Sequence, residues 1–417
     1  MTKNNKQDAP YLSSTNLITN AQTHTTRLQL ARDLSLLLST FNSSLPMLIY
    51  DLDLPALTNL LQEWNEPPYR ATQIWQGLYR HFYQSPDQFT NLPNSLRKRL
   101  AEQFTFTPFK VKAYLDSSDG YTRKTLFELS DGNLIEAVLM RYGDPADDLS
   151  YLSPRPKRNA RSGMSKKRRT LCISTQAGCA MGCVFCATGQ MGFKRHLTSG
   201  EIVAQVMYYA RQLKEVNESV TNIVLMGMGE PFHNYENTMA AIDRLNDPEG
   251  FNFGARRITI STVGLVPQIR RFADEKRQVN LAISLHAADD ESRTAMLPVN
   301  KKYSIDEVLD ACRYYIEKTH RRVTFEWALI HGVNDTPEVA RKLAARLKGM
   351  LCHVNAIPLN PTLGYSGKAT SRERAEKFKE TLEQAGIPCT IRMRRGIDIQ
   401  AGCGQLAGVA SSSPASV

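Results

Sequence analysis

Three cysteines stand close together near the middle of the chain, as Cys179-Ala-Met-Gly-Cys183-Val-Phe-Cys186, the pattern C-x-x-x-C-x-x-C. Thiolates at such spacing can converge on one soft metal centre. A structural zinc site wants four ligands, usually as two separated pairs, and neither a second C-x-x-C nor an H-x-x-x-H occurs here. A 4Fe-4S cube suits the motif better, because three cysteines for four irons leave one iron open to a small molecule. Gly178 and Gly182 allow the backbone to wrap closely there. Zinc stays as the competing reading.

Two further cysteines and one carboxylate invite a chemical reading. Cys172 lies seven residues before Cys179 in a strand-like run, where a lone cysteine is more often packing than chemistry. Cys403 sits in GIDIQAGCGQL between Gly402 and Gly404, which fits an accessible nucleophile. Glu136 interrupts the apolar run NLIEAVLM. Such a charge is costly to bury unless paired or functional; the alternative is the exposed face of an alternating strand. Cys312, Cys352 and Cys389 read as structural.

Elements must position these groups. From 169 onward, strand-like runs (RTLCIST, TNIVLMG, RRITIST, VNLAISLHA, RVTFEWALI, HVNAIPLN, with CTIRM as a possible extra) alternate with helical stretches. That alternation predicts an α/β fold with a parallel sheet and right-handed crossovers. Periodicity alone leaves an open doubly wound sheet and an incomplete barrel both standing. The placement of Gly229, Glu230, Ser261, Ser284 and Asn360 at or just past strand ends favours the barrel, whose active sites form at that rim. Upstream, the spacing of Leu57, Leu60, Leu61 and Trp64, and of Ile74, Trp75, Leu78 and Tyr79, predicts a small helical domain, with Pro67 and Pro68 as a start signal. TRKTLFELS and NLIEAVLM, joined through Asp131-Gly132-Asn133, predict a β-hairpin. The expected order is a poorly ordered leader over 1–46 (with a short helix over 28–38), a helical accessory domain over 47–108, a hairpin and basic loop over 109–168, a partial barrel with a catalytic C-terminal segment over 169–406, and a flexible tail over 407–417.

The chain has 417 residues, 42% hydrophobic and 22% charged, with a net charge of +11. That charge favours a polyanionic partner, nucleic acid before an anionic membrane. Eight positive charges fall between Arg155 and Arg169, either a solvated loop or an RNA-phosphate contact. No apolar run is long enough to span a membrane and the first residues lack a secretory signal, so a cytoplasmic protein is expected. There, cysteines serve ligation or catalysis more than disulfides.

The cysteine motif, together with Met226-Gly-Met-Gly229-Glu230-Pro231, Ser261, Ser284-Leu285-His286 and Asn360, resembles the radical S-adenosylmethionine superfamily, and within it the RlmN/Cfr family of RNA adenosine methyltransferases, on the RlmN side. The similarity runs from about Tyr50 to Leu406. It implies a partial (β/α)6 TIM-like barrel with an N-terminal helical accessory domain. It implies a 4Fe-4S cluster on Cys179, Cys183 and Cys186, and S-adenosylmethionine held by Gly229, Glu230, Ser261, Ser284, Leu285, His286 and Asn360. For Ser261 and Ser284 taken singly, satisfying strand ends is the ordinary alternative.

The resemblance also implies the chemistry. Carbons 2 and 8 of adenine are electron-poor and resist an electrophilic methyl. Cys403 first accepts the methyl group; a 5′-deoxyadenosyl radical then takes hydrogen from it, and the carbon radical adds to the ring. Glu136 removes the ring proton, and Cys172 attacks Cys403 to free the product as a disulfide forms. The targets are adenosines in 23S rRNA and tRNA, flipped into the pocket. The enzyme is expected to be a monomer drawing on an external electron donor such as flavodoxin. Pro231 favours carbon 2, since the Cfr type carries Ala after Gly-Glu. Methylation at carbon 8, another radical enzyme class and a non-catalytic RNA-binding protein with a structural metal are the rival readings.

Overall fold

The structure is a computed structural model and describes residues 46–143, 167–392 and 394–408. The leader other than Pro46, the basic run from 155 to 166 and the tail beyond 408 lie outside the described residues.

The accessory domain opens with strand β1 (Met47–Leu48), followed by α1 (Leu54–Glu63), α2 (Tyr69–Gln76), α3 (Asn94–Gln103) and β2 (Phe104–Thr105), which runs parallel to β1. Asp53 caps α1 by accepting from the Ala56 N–H at 2.7 Å, with Pro55 in the first turn. The helical spacing read from the sequence buries Leu57, Leu61, Ile74 and Trp75. Past α2 the helix widens into a π turn over 77–81.

Next come β3 (Phe109–Asp116), β4 (Thr122–Leu129) and β5 (Leu134–Tyr142), all antiparallel, then β6 (Arg168–Cys172). The hairpin foreseen within 109–168 thus has a third strand, and β5 pairs with β6, so it belongs to the barrel's own sheet. β3 is the exposed edge, and Lys110 through Tyr114 all face solvent. Without a buried face it leaves no alternation to read.

A small hairpin, β7 (Gln176–Gly178) and β8 (Phe193–His196), brackets the cysteine loop and its short helix α4 (Ala187–Gln190). After it, strands and helices alternate: α5 (Ser199–Glu215), β9 (Asn222–Leu225), α6 (Tyr235–Asn246), β10 (Ile258–Thr262), α7 (Val266–Asp274), β11 (Asn280–Ser284), α8 (Asp290–Met296), α9 (Ile305–Thr319), β12 (Val323–Leu329), α10 (Pro337–Leu347), β13 (Cys352–Pro358), α11 (Arg372–Gln384) and β14 (Cys389–Ile391). Capping boxes start α5 (Thr198 with Glu201) and α9 (Ser304 with Glu307).

Strands β3 to β6 and β9 to β14 join one sheet in the order β14-β13-β12-β11-β10-β9-β6-β5-β4-β3, its members from β6 to β14 parallel. From β6 onward the order never reverses. A doubly wound sheet reverses at its switch point, so the incomplete barrel is the architecture found. CTIRM supplies a seventh parallel strand, β14. Parallel strands place all their C-terminal ends on one rim.

Arg293 of α8 holds that rim together. It is fully buried and donates to the carbonyls of Val263 (2.6 Å), Leu285 (3.2 Å) and Ser284 (3.4 Å) and to Asn300 Oδ1 (2.8 Å). Burial lowers its pKa to about 10, so the guanidinium stays charged at neutral pH. Arg293→Met strands several buried acceptors, each costing ~1–3 kcal/mol. The expected loss is at least ~3 kcal/mol of unfolding free energy with an unchanged m-value in urea; wild-type stability would reject this role.

Candidate active site

The rim encloses a cavity whose empty volume, open mouth included, is about 1090 Å³. On one wall it is lined by Cys179, Cys183 and Cys186. The loop bearing them is fixed where the Cys179 N–H donates to Gly192 O (3.0 Å) and the Val184 N–H to Met296 O (3.1 Å). Gly178 has a φ of +73°, and a Cβ there would lie 2.0 Å from Gly192 O, so only glycine lets the two hairpin strands meet. Among the described residues no three His, Cys, Asp or Glu side chains converge tightly enough for a single metal ion. Three thiols leave a single zinc one ligand short, whereas they suit a cluster with one open iron. Burial pushes Cys179 up to about 12 and Cys183 well above its ordinary value. Ligation must overcome this, so cluster binding releases protons.

The strand ends supply further lining: Gly229, Glu230, Ser261, Ser284, His286 and Asn360 all face the cavity. Glu230 is buried and accepts from the Phe232 N–H (3.0 Å) and the Val263 N–H (2.9 Å). Burial raises its pKa to about 7 against these hydrogen bonds. Gly229, with a φ of +99°, packs on Gln176: a Cβ would come within 2.5 Å of the Gln176 Cβ. Its glycine is therefore required by the loop's own packing. Ser261 and Ser284 hydroxyls stand 3.5 Å apart on neighbouring strands. His286 Nδ1 accepts from the Ala328 N–H (2.9 Å), and burial lowers its pKa to about 3. The ring is thus neutral, with its proton on Nε2. Asn360 donates to Cys403 O (3.0 Å), while its Oδ1 is buried without a partner.

Leu285 departs from expectation. Its side chain is fully buried in the core, its N–H donates to Glu326 O (3.2 Å), and its carbonyl accepts from Arg293. It supports the strand end but does not line the cavity.

Cys403 does line it, and is the exposed one of the eight cysteines. The protein around the thiol still removes enough water to raise its pKa, an effect opposed by Arg392 and reinforced by Glu326. Cys172, at the end of β6, is buried, and burial followed by the proximity of Cys403 raises its thiol pKa further. Both cysteines are free. Glu136 is not on an exposed strand face. It is 1% exposed, pairs with Lys124 Nζ at 3.0 Å, and accepts from the backbone N–H of Ala407 (2.9 Å) and Gly408 (3.3 Å). It lies outside the cavity lining.

Two groups escaped the sequence reading. Glu326, on β12, lines the cavity, accepts from Asn355 Nδ2 at 2.5 Å and has its pKa raised by burial to about 7. Its signal was the one used for Glu136, a carboxylate within an apolar run, RVTFEWALI. Arg392, which influences both Glu326 and Cys403, had no such signal, because only the returning C-terminal segment brings it there. In the basic run, Arg169 is spent: it is 3% exposed and makes two 2.6 Å bonds to Glu218, so it does not serve as an RNA contact.

Residues 48–106 match the family model of the ribosomal RNA large subunit methyltransferase N-terminal domain, and residues 173–344 that of the radical SAM superfamily. An RlmN dual-specificity RNA methyltransferase of Myxococcus xanthus is 49% identical over 86% of this chain and 93% of its own. A probable one of Chloroflexus aurantiacus is 46% identical over 86% and 92%. The crystal structure of a radical SAM methyltransferase from Sphaerobacter thermophilus superposes with a TM-score of 0.80 at 48% identity, covering 87% of this chain and 100% of that one. The chain belongs to the RlmN family of radical SAM enzymes. The family's 4Fe-4S cluster and S-adenosylmethionine fit what the cavity offers: three thiols, a buried carboxylate and an unpartnered amide oxygen on Asn360.

Glu326 makes a test of the site's electrostatics. Its folded pKa of about 7 lies above the unfolded value of 4.5. The folded state therefore holds a proton that the unfolded state releases, and stability falls as pH rises from about 4.5 to about 7. Glu326→Gln removes this share, up to ~3 kcal/mol at pH 8. Urea unfolding of the bare protein at pH 5 and pH 8 should show a smaller difference in the variant; equal differences would remove Glu326 from the account.

Proposed function

We propose that this chain is an S-adenosylmethionine-dependent RNA methyltransferase that installs a methyl group on carbon 2 of adenosine in 23S rRNA and tRNA, carrying it first on Cys403. The observation that carries this reading is that Cys403, the exposed one of the eight cysteines, lines the same cavity as Cys179, Cys183 and Cys186.

In this reading Cys179, Cys183 and Cys186 hold the cluster. Gly229 and Glu230 hold the amino end of S-adenosylmethionine, and Ser261, Ser284, His286 and Asn360 its remaining polar groups. Asn360 Oδ1 waits as an acceptor and His286 Nε2 as a donor. When bound, the two cofactors supply the one-electron chemistry that removes a hydrogen atom from a methyl group. The chain's own residues do the rest. The Cys403 sulfur gives up its proton and takes the methyl group. Glu136 removes the ring proton. Cys172 then gives up its thiol proton and forms a disulfide with Cys403 as the carbon–sulfur bond breaks, the bond's electron pair staying on the carbon, which takes up a proton to become the methyl group. Adenosines in loops cost least to draw out of their stack. The net charge of +11 suits RNA, and residues 155–168 are a contact surface for its phosphates. An external electron donor such as flavodoxin serves a monomeric, cytoplasmic enzyme. No helix among the described residues is long and apolar enough to cross a membrane.

The deciding comparison is wild type against Cys403→Ala, both cluster-loaded, with reductant, S-adenosylmethionine and a 23S rRNA fragment. Mass spectrometry of digested RNA should find 2-methyladenosine from wild type and at least ~1000-fold less from the variant. Cofactor cleavage to 5′-deoxyadenosine should persist in both. Methylation at carbon 8 would move the chain to the Cfr type, and undiminished product from the variant would end the Cys403 assignment.

A further inference from the structure

The segment carrying Cys403 enters the barrel and is held there from several sides. Asn360 bonds Cys403 O, the Ala187 N–H donates to Gly404 O (2.7 Å), Thr188 Oγ1 donates to Leu406 O (2.6 Å), and Gln405 Nε2 donates to Pro361 O (2.9 Å). The remaining hold is different in kind. One buried ion pair grips the segment on both sides of the cysteine. Lys124 Nζ donates to Gln400 O (3.3 Å), three residues before Cys403, and to Glu136 Oε1 (3.0 Å). Glu136 Oε2 accepts from the amides of Ala407 and Gly408, just after it. The two side chains are 7% and 1% exposed, so each charge relies on these partners in place of water. The grip is shaped as well as charged. Gly408 has a φ of +58°, and a Cβ there would lie 3.0 Å from Leu134 O, on the same strand as Glu136.

So engaged, Glu136 has Oε2 filled by two amides and Oε1 turned onto Lys124, and at 1% exposure neither oxygen can be reached by a substrate. We propose that Lys124 and Glu136 form a latch that seats the Cys403 segment, with Lys124 as the positioning residue, and that RNA entry opens it. Glu136 then serves in turn as latch and as base, becoming available when residues 407–408 withdraw. This rests on the reading of Cys403 as methyl carrier and Glu136 as base. The latch makes proton removal depend on the substrate being present, because the same oxygen cannot hold the closed segment and accept the ring proton.

Hydrogen–deuterium exchange on the full cluster-loaded chain tests this without reading methylation, so a failed methylation assignment does not register as a failed latch. Lys124→Met should speed exchange of amides over 400–408 at least ~10-fold. Amides of α9, remote from the segment, should keep their wild-type rate, and Lys124→Arg should restore most of the protection. Unchanged exchange over 400–408 overturns the proposal, as does an equal rise in α9, which would mean general loosening. If Lys124→Met fails to load the cluster, Ala407→Pro removes one donor to Glu136 while leaving the ion pair intact. The same rise over 400–406 is expected, and a wild-type rate overturns the latch. In the wild type, a 23S rRNA fragment shown by gel shift to be bound should speed exchange at 407–408. Protection or no change there overturns the opening step.

Discussion

The cavity of this protein is completed by one backbone segment held inside an incomplete barrel. The parallel strands β6 to β14 form a wall with their C-terminal ends on one rim, but the wall does not close on itself. Arg392 and residues 394–408 return across it. They touch β13 where the Arg392 N–H donates to Ala356 O, the loop after β13 through Asn360, and β4 and β5 through Lys124 and Glu136. Without those contacts Cys403 would be a thiol on a loose tail. With them it lines the same cavity as Cys179, Cys183 and Cys186, and stands near enough to Cys172 to raise that buried thiol's pKa.

The cavity is built to hold charge away from water. Glu230 and Glu326 are both poised near neutrality by burial, and His286 is kept neutral by burial and by Arg293. Such displaced values cluster where groups must bind or exchange protons. Arg293 serves structure and electrostatics together: it satisfies the carbonyls past β10 and β11, and its positive charge stands beside His286. The accessory domain is anchored to the same frame. Asp51 Oδ1 accepts from the Gly200 N–H at the start of α5, and Arg244 of α6 donates to Asp51 O. The accessory domain is therefore held in a fixed relation to the rim.

Much of this was legible in the sequence because local patterns carried it. The cysteine spacing named a loop that lines the cavity. The alternation of strand and helix named the wall, since each unit repeats a period that side-chain burial imposes. Strand-end residues named the rim, and all of them except Leu285 face the cavity. Glu136 was singled out because a carboxylate in an apolar run needs a reason.

What the sequence could not decide is everything set by distant partners. Whether the strands close, reverse or stay open depends on their order in the sheet, to which periodicity is blind. The reason Glu136 is buried lies 271 residues away at Ala407, and Arg169 loses its availability to Glu218, 49 residues on. Arg392 acquires meaning only because its segment folds back beside Cys403. By itself the sequence determined which residues have the chemistry and which elements carry them, because ligand type and periodicity are local properties. The tertiary structure decided which of those groups meet and which are already engaged, because hydrogen bonds and buried charges are settled between elements far apart in the chain.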